Sequence, residues 1–136
     1  MRFQLALLLL FPVLFSTPSR AFDPINKTTF GGLAVDGFDS TAYFTDARAE
    51  EGSSDHLFEW KGALWRFASR QDRDLFAAAP ESYAPQYGGY CSNQMSLGNL
   101  SDVDPGVWLI HDGKLYLFGH DVGRVRWEKT GIVERI

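Results

Sequence analysis

The sequence predicts a small α+β domain, an antiparallel sheet of two β-hairpins with short helices. Three observations predict it. Residues 57–67 hold two short alternating runs about Lys61-Gly62-Ala63, and residues 107–118 two short apolar runs about the turn Asp112-Gly113. Ser69, with Asp72 three positions on, has the form of a helix N-cap. Eleven Phe, four Trp and five Tyr among 136 residues supply a core for one domain without cross-links. The single cysteine, Cys91, excludes an intrachain disulfide.

Residues 1–21 read as a cleaved secretory signal: Arg2, an apolar run over 3–15, and small residues Ser19 and Ala21 ahead of a cut before Phe22. The run is shorter than the ~20 residues of a spanning helix. The expectation is a secreted or periplasmic protein with no membrane attachment after cleavage. Removing Arg2 and Arg20 takes the formal net charge from −4 to −6. Lys and Arg are scattered rather than striped, which argues against a nucleic-acid or anionic-membrane surface. Two glycosylation triplets, at Asn26 and Asn99, carry meaning only in a eukaryotic secretory pathway.

Taken in order, residues 22–32 form an extended lead-in, 33–130 the domain and 131–136 a tail. Asp36-Gly37 marks a turn, residues 40–44 read as a short strand, and 47–56 as a solvated loop. In the first hairpin Phe58 and Trp60 share one face, as do Trp65 and Phe67. The helix after Ser69 turns Leu75 and Phe76 inward and stops at Pro80, with one more helical turn over Glu81-Ser82-Tyr83. Residues 90–97 read as a short helix ended by Gly98, and 99–106 as a loop. Residues 121–129 form an amphipathic helix with Val122 and Val125 turned inward and either Trp127 or Trp108 meeting them across it. No internal repeat and no low-complexity segment is evident.

Cys91 and Met95 lie four apart, which on a helix puts both sulfurs on one face. A thiolate with a thioether is a soft donor pair and selects Cu(I). His56, His111 and His120 are the available third donors, and His111 is the one taken. A structural zinc site fails on counting, since it wants four ligands and usually several cysteines. The pairs Asp36/Asp39 and Asp102/Asp104 lack calcium-loop spacing and read as turn residues. A rival reading makes Cys91 a nucleophile beside a helix N-terminus, with His111, followed by Asp112, as its base. In a third, Cys91 is a small buried hydrophobe and Met95 a core filler. Tyr83, Tyr87 and Tyr90 read as a packed core with hydroxyls at its rim.

Five blocks stand in order: VDGFDSTAYF (35–44), KGALWRFAS (61–69), DLFAAAPESYAPQYGGYC (74–91), VDPGVW (103–108) and DGKLYL (112–117). In these the chain, from about 33 to 127, resembles secreted, single-domain members of the YHS-domain family. The resemblance implies a treble-clef-like fold and metal handling as a theme, without the cysteine set that holds a metal in related modules. It also implies that Cys91 and Met95 fall on positions commonly filled by Cys and Met. Ser92-Asn93-Gln94 and Phe118-Gly119 depart from the usual residues. The resulting expectation is a non-catalytic extracytoplasmic binding domain whose ligand is a soft metal such as copper, or another small ligand. A thiol enzyme or redox protein using Cys91, and a structural module binding an unidentified protein partner, are the alternatives.

Overall fold

Both predicted hairpins form, and both turn on two residues of positive φ. The computed structural model describes residues 22–130; the expected signal and the tail 131–136 lie outside them. Strand β1 (Ser53–Trp60) pairs antiparallel with β2 (Ala63–Phe67), and β3 (Asp104–His111) with β4 (Lys114–Phe118), as two separate two-stranded sheets. The turns are Lys61 (φ 48°) with Gly62 (φ 72°), and Asp112 (φ 49°) with Gly113 (φ 70°). Such primed turns match the right-handed strand twist. With helices α1 (Ala42–Thr45), α2 (Arg70–Ala78), α3 (Pro80–Tyr83), α4 (Ser92–Met95) and α5 (Asp121–Lys129), the architecture is α+β.

The chain repeats itself, against the sequence expectation. Strands of eight and five residues and a helix of nine recur 51 positions on, from Ser53 to Asp104 at the start and from Ala78 to Lys129 at the end. The pairing irregularity recurs too: Ser53 faces Phe67 and Leu57 faces Arg66, as Asp104 faces Phe118 and Trp108 faces Leu117. Upstream, the turn Val35-Asp36-Gly37 (φ 51°, 51°, 82°) has its counterpart in Tyr87-Gly88-Gly89 (φ 56°, 64°, 84°). A one-turn helix follows each, α1 and α4. Asp39 N donates to Glu50 O (2.7 Å), and Cys91 N to Ser101 O (3.0 Å). Between the two hairpin–helix units only Gly62/Gly113, Leu64/Leu115, Phe67/Phe118 and Arg73/Arg124 coincide in identity. The repeat is therefore carried by backbone and by aromatic positions.

Those aromatics make the core. Trp65 stacks near Phe76 (centroids 4.8 Å apart), and the equivalent Tyr116 near Trp127 (4.6 Å). Strand β4 lies between two clusters, as its period of two requires. Leu115 and Leu117 join the larger cluster with Tyr43, Trp65, Phe67 and Phe76. Tyr116 and Phe118 join Cys91 and Trp127. The lead-in is tied to both units: Ile25 is buried, Asn26 N donates to Gly88 O (2.8 Å), and Lys27 Nζ to Gly62 O (2.9 Å).

Several boundaries shift. The predicted strand at 40–44 is instead α1, because Asp39 Oδ1 accepts the amides of Thr41 (2.8 Å) and Ala42 (3.2 Å) and caps a helical turn. Strand β1 begins at Ser53, inside the expected loop, and β3 at Asp104. The helix expected over 90–97 is one turn, Ser92–Met95, although Gly98 (φ 81°) does end the segment. Ser69 caps α2 by accepting Asp72 N (3.1 Å), and Pro80 opens α3, as expected. In α2 only Phe76 is buried, with Leu75 half-buried. In α5 Trp127 is buried while Val122 is 81% exposed and Val125 also faces out. Among the described residues no helix is long and apolar enough to cross a membrane.

Candidate functional site

The chain reaches Cys91 through the strained turn Tyr87-Gly88-Gly89, which throws it onto the N-terminal end of α4. Cys91 is buried against Tyr116, Phe118 and Trp127. Its carbonyl accepts Met95 N (2.9 Å), and its Sγ accepts the Gly119 amide (3.4 Å). No side chain among the described residues hydrogen-bonds to that sulfur. A thiol nucleophile needs a base in contact, and among the described residues the one hydrogen bond to the sulfur comes from a backbone amide.

Above Cys91 opens a cleft of about 900 Å³. Cys91 and Asn93 line it from α4, Asp102 and Asp104 from the approach to β3, and His120 and Arg126 from the α5 side. Arg126 donates from Nη1 to Asn93 Oδ1 (2.7 Å), so the pair bridges α5 to α4 across 33 positions of sequence. Gly123 packs closely under the bridge: a Cβ there would stand 3.3 Å from Asn93 Nδ2. Asp104 Oδ1 is turned toward its own loop, accepting Gly106 N (2.8 Å). The cleft thus has a thiol floor, carboxylates on one wall and cationic or imidazole groups on the other.

Of the three residues predicted as metal donors, Met95 follows Cys91 by one helical turn, while His111 lies apart from both. Met95 is half-buried and is absent from the cleft lining, because α4 is a single turn and the chain bends away after it. His111 pairs with Lys114 at the tip of the second hairpin and is exposed, with Nε2 3.4 Å from Asp112 Oδ2. Gly119, which holds the Cys91 sulfur, lies at the opposite end of β4, five residues or about 16 Å of strand from Lys114. Of the three histidines, His120 is the one that shares the cleft with Cys91. Among the described residues no group of three or more His, Cys, Asp or Glu is placed to hold a metal.

Sequence reasoning missed Asn93, Arg126 and the cleft-facing role of Asp102. Their association rests on contacts across tens of residues, for which a single sequence carries no signal. Gly119 and Gly123 were the available hint, since two glycines at a strand–helix junction mark a close approach. Comparison with known proteins gives no match to any family model, to any curated protein or to any solved structure.

Proposed function

We propose that this is a non-catalytic binding domain of an exported, YHS-like protein, and that its site is the cleft over Cys91. The ligand that suits the donors is a soft metal ion such as Cu(I), taken by the Cys91 thiolate and the His120 imidazole. One observation carries the reading: these two soft or borderline donors line the same cleft. Among the described residues the sulfur holds one hydrogen bond, from a backbone amide, and so keeps lone-pair capacity for a metal. With two protein donors the coordination would be completed by the ligand's own carrier or by solvent. Export rests on the signal-like residues 1–21.

Competition for Cu(I) against a chromophoric chelator tests the site. Cys91→Ser and His120→Ala should each weaken binding at least tenfold, while Met95→Leu and His111→Ala leave it unchanged. Equal competition by wild type and Cys91→Ser would sink the copper reading. The cleft volume of about 900 Å³ favours a second reading, a small polar organic ligand held by Arg126 and Asn93. Pockets for such ligands run from about 300 to 1,000 Å³.

A further inference from the structure

Asn93 lines the cleft and yet is only 8% exposed. The sense of its amide is fixed. Arg126 carries donors alone, so the atom 2.7 Å from Nη1 is Oδ1, and Nδ2 lies on the other side of the amide. Among the described residues this is the one hydrogen bond of the Asn93 side chain, which leaves Nδ2 without an acceptor. Nδ2 lies against the first turn of α5, where a Cβ on Gly123 would stand 3.3 Å from it.

That turn carries donors of its own. The amides of Asp121, Val122 and Gly123 precede the first intrahelical bond, Arg124 N to His120 O (3.1 Å), and the His120 side chain does not cap them. Val122 and Gly123 line the cleft together with Arg126. Arg124 is held by Asp121 and Glu128, whereas Arg126 forms no ion pair among the described residues. On the other wall Asp102 and Asp104 form none either. Asp104 gives Oδ1 to Gly106 N (2.8 Å), while the exposed Asp102 carboxyl accepts no hydrogen bond among the described residues.

We propose that the cleft takes a free α-amino acid as its zwitterion. The carboxylate is held by Arg126, Asn93 Nδ2 and the first turn of α5, and the ammonium by Asp102 and Asp104. This rests on the cleft being the ligand site, and names the class of its small polar ligand. A plain anion would be drawn to one wall and repelled by the other, and a plain cation the reverse. A ligand with both charges satisfies both walls, and guanidinium–carboxylate bonds are among the strong ones. The volume of about 900 Å³ leaves room for a side chain, and Cys91, Val103 and Val122 offer it an apolar surface. An aliphatic side chain suits them.

Calorimetric titration of the metal-free protein with L-leucine, 4-methylpentanoate and 3-methylbutylamine tests the proposal. L-Leucine should bind about tenfold or more tighter than either compound, each of which lacks one of its charges. Arg126→Gln and Asp102→Asn should each weaken L-leucine binding by about tenfold or more. Arg126→Gln also cuts the bridge to α4, so Asp102→Asn decides should that variant unfold. Equal binding of L-leucine and 4-methylpentanoate would overturn the zwitterion and leave the cleft as a carboxylate site. L-Leucine binding that ignores both substitutions would overturn it as well. If none of the three compounds binds while Cu(I) competition still depends on Cys91, the amino acid is overturned and the soft-metal reading stands.

Discussion

Asp39 and Cys91 occupy the same place in the two units of the chain. Each sits just after a left-handed turn, and each accepts the amide that follows the second strand of its hairpin, Ala68 at 2.8 Å and Gly119 at 3.4 Å. A carboxylate at 91 would meet the amides of Asn93, Gln94 and Gly119 as Asp39 meets those of Thr41, Ala42 and Ala68. Cys91→Asp should therefore fold and be less destabilised than Cys91→Ala, which strips the Gly119 amide of its acceptor at a cost of about 1–3 kcal/mol. Urea unfolding at neutral pH ranks the two variants, and the opposite order would contradict the equivalence.

Asp36 and Gly88 share a backbone conformation (φ 51° and 64°) but not a surrounding. A Cβ on Gly88 would stand 1.9 Å from the Pro24 carbonyl oxygen, where the lead-in crosses the turn. Gly88→Ala must push the lead-in away and adopt a left-handed φ besides, for a combined cost of about 2–4 kcal/mol. Asp36→Gly gives up little, about 1 kcal/mol or less. Thermal melts of the two variants should differ by several degrees; similar melting points would mean that the lead-in does not pack on Gly88.

Tyr43 is buried and its hydroxyl donates to the Pro105 carbonyl (2.8 Å), fastening α1 to the segment that walls the cleft. Tyr43→Phe leaves that carbonyl without its partner and should cost about 1–2 kcal/mol. Burial, reinforced by Asp104, Asp39 and Asp36, raises the Tyr43 hydroxyl well above its usual value of 10.0. Stability from this group is present below about pH 10 and drains away above it as the unfolded tyrosine ionises. Absorbance titration of the native protein should show equal tyrosinate amplitude in wild type and Tyr43→Phe up to the alkaline unfolding transition. A larger wild-type amplitude would mean that Tyr43 ionises in the folded state.

What was legible in the sequence was local. The hairpin turns at Lys61-Gly62 and Asp112-Gly113, the Ser69 cap and the Pro80 break all follow from chemistry within four residues, and the structure has each of them. The region 40–44 was misread because the β-forming side chains of Thr41, Tyr43 and Phe44 carry less weight than the Asp39 carboxylate capping the turn. Val122 and Val125 were misplaced because the burial of Trp127 alone fixes the rotation of α5. The repeat escaped notice because it conserves φ signs and aromatic positions rather than identities. The cleft escaped it because Cys91, Asn93, His120 and Arg126 meet only through that long-range arrangement, while the four-residue spacing of Cys91 and Met95 promised a helix that is one turn long.

The repeat also sets how the two aromatic pairs should respond to truncation. Trp65 is buried against Phe76 and donates from Nε1 to the Trp60 carbonyl (3.1 Å), so Trp65→Ala loses both packing and a hydrogen bond. It should cost about 3–5 kcal/mol. Trp127 stands where the first unit has Phe76, and its buried Nε1 has no partner among the described residues. Trp127→Phe removes an unsatisfied donor while keeping a ring against Tyr116 and Phe118, which offsets part of the lost volume. We expect it to cost less than about 1.5 kcal/mol. Denaturant midpoints with unchanged slopes check both values. If Trp127→Phe cost as much as Trp65→Ala, the indole would be engaged by a group that the protein interior does not supply.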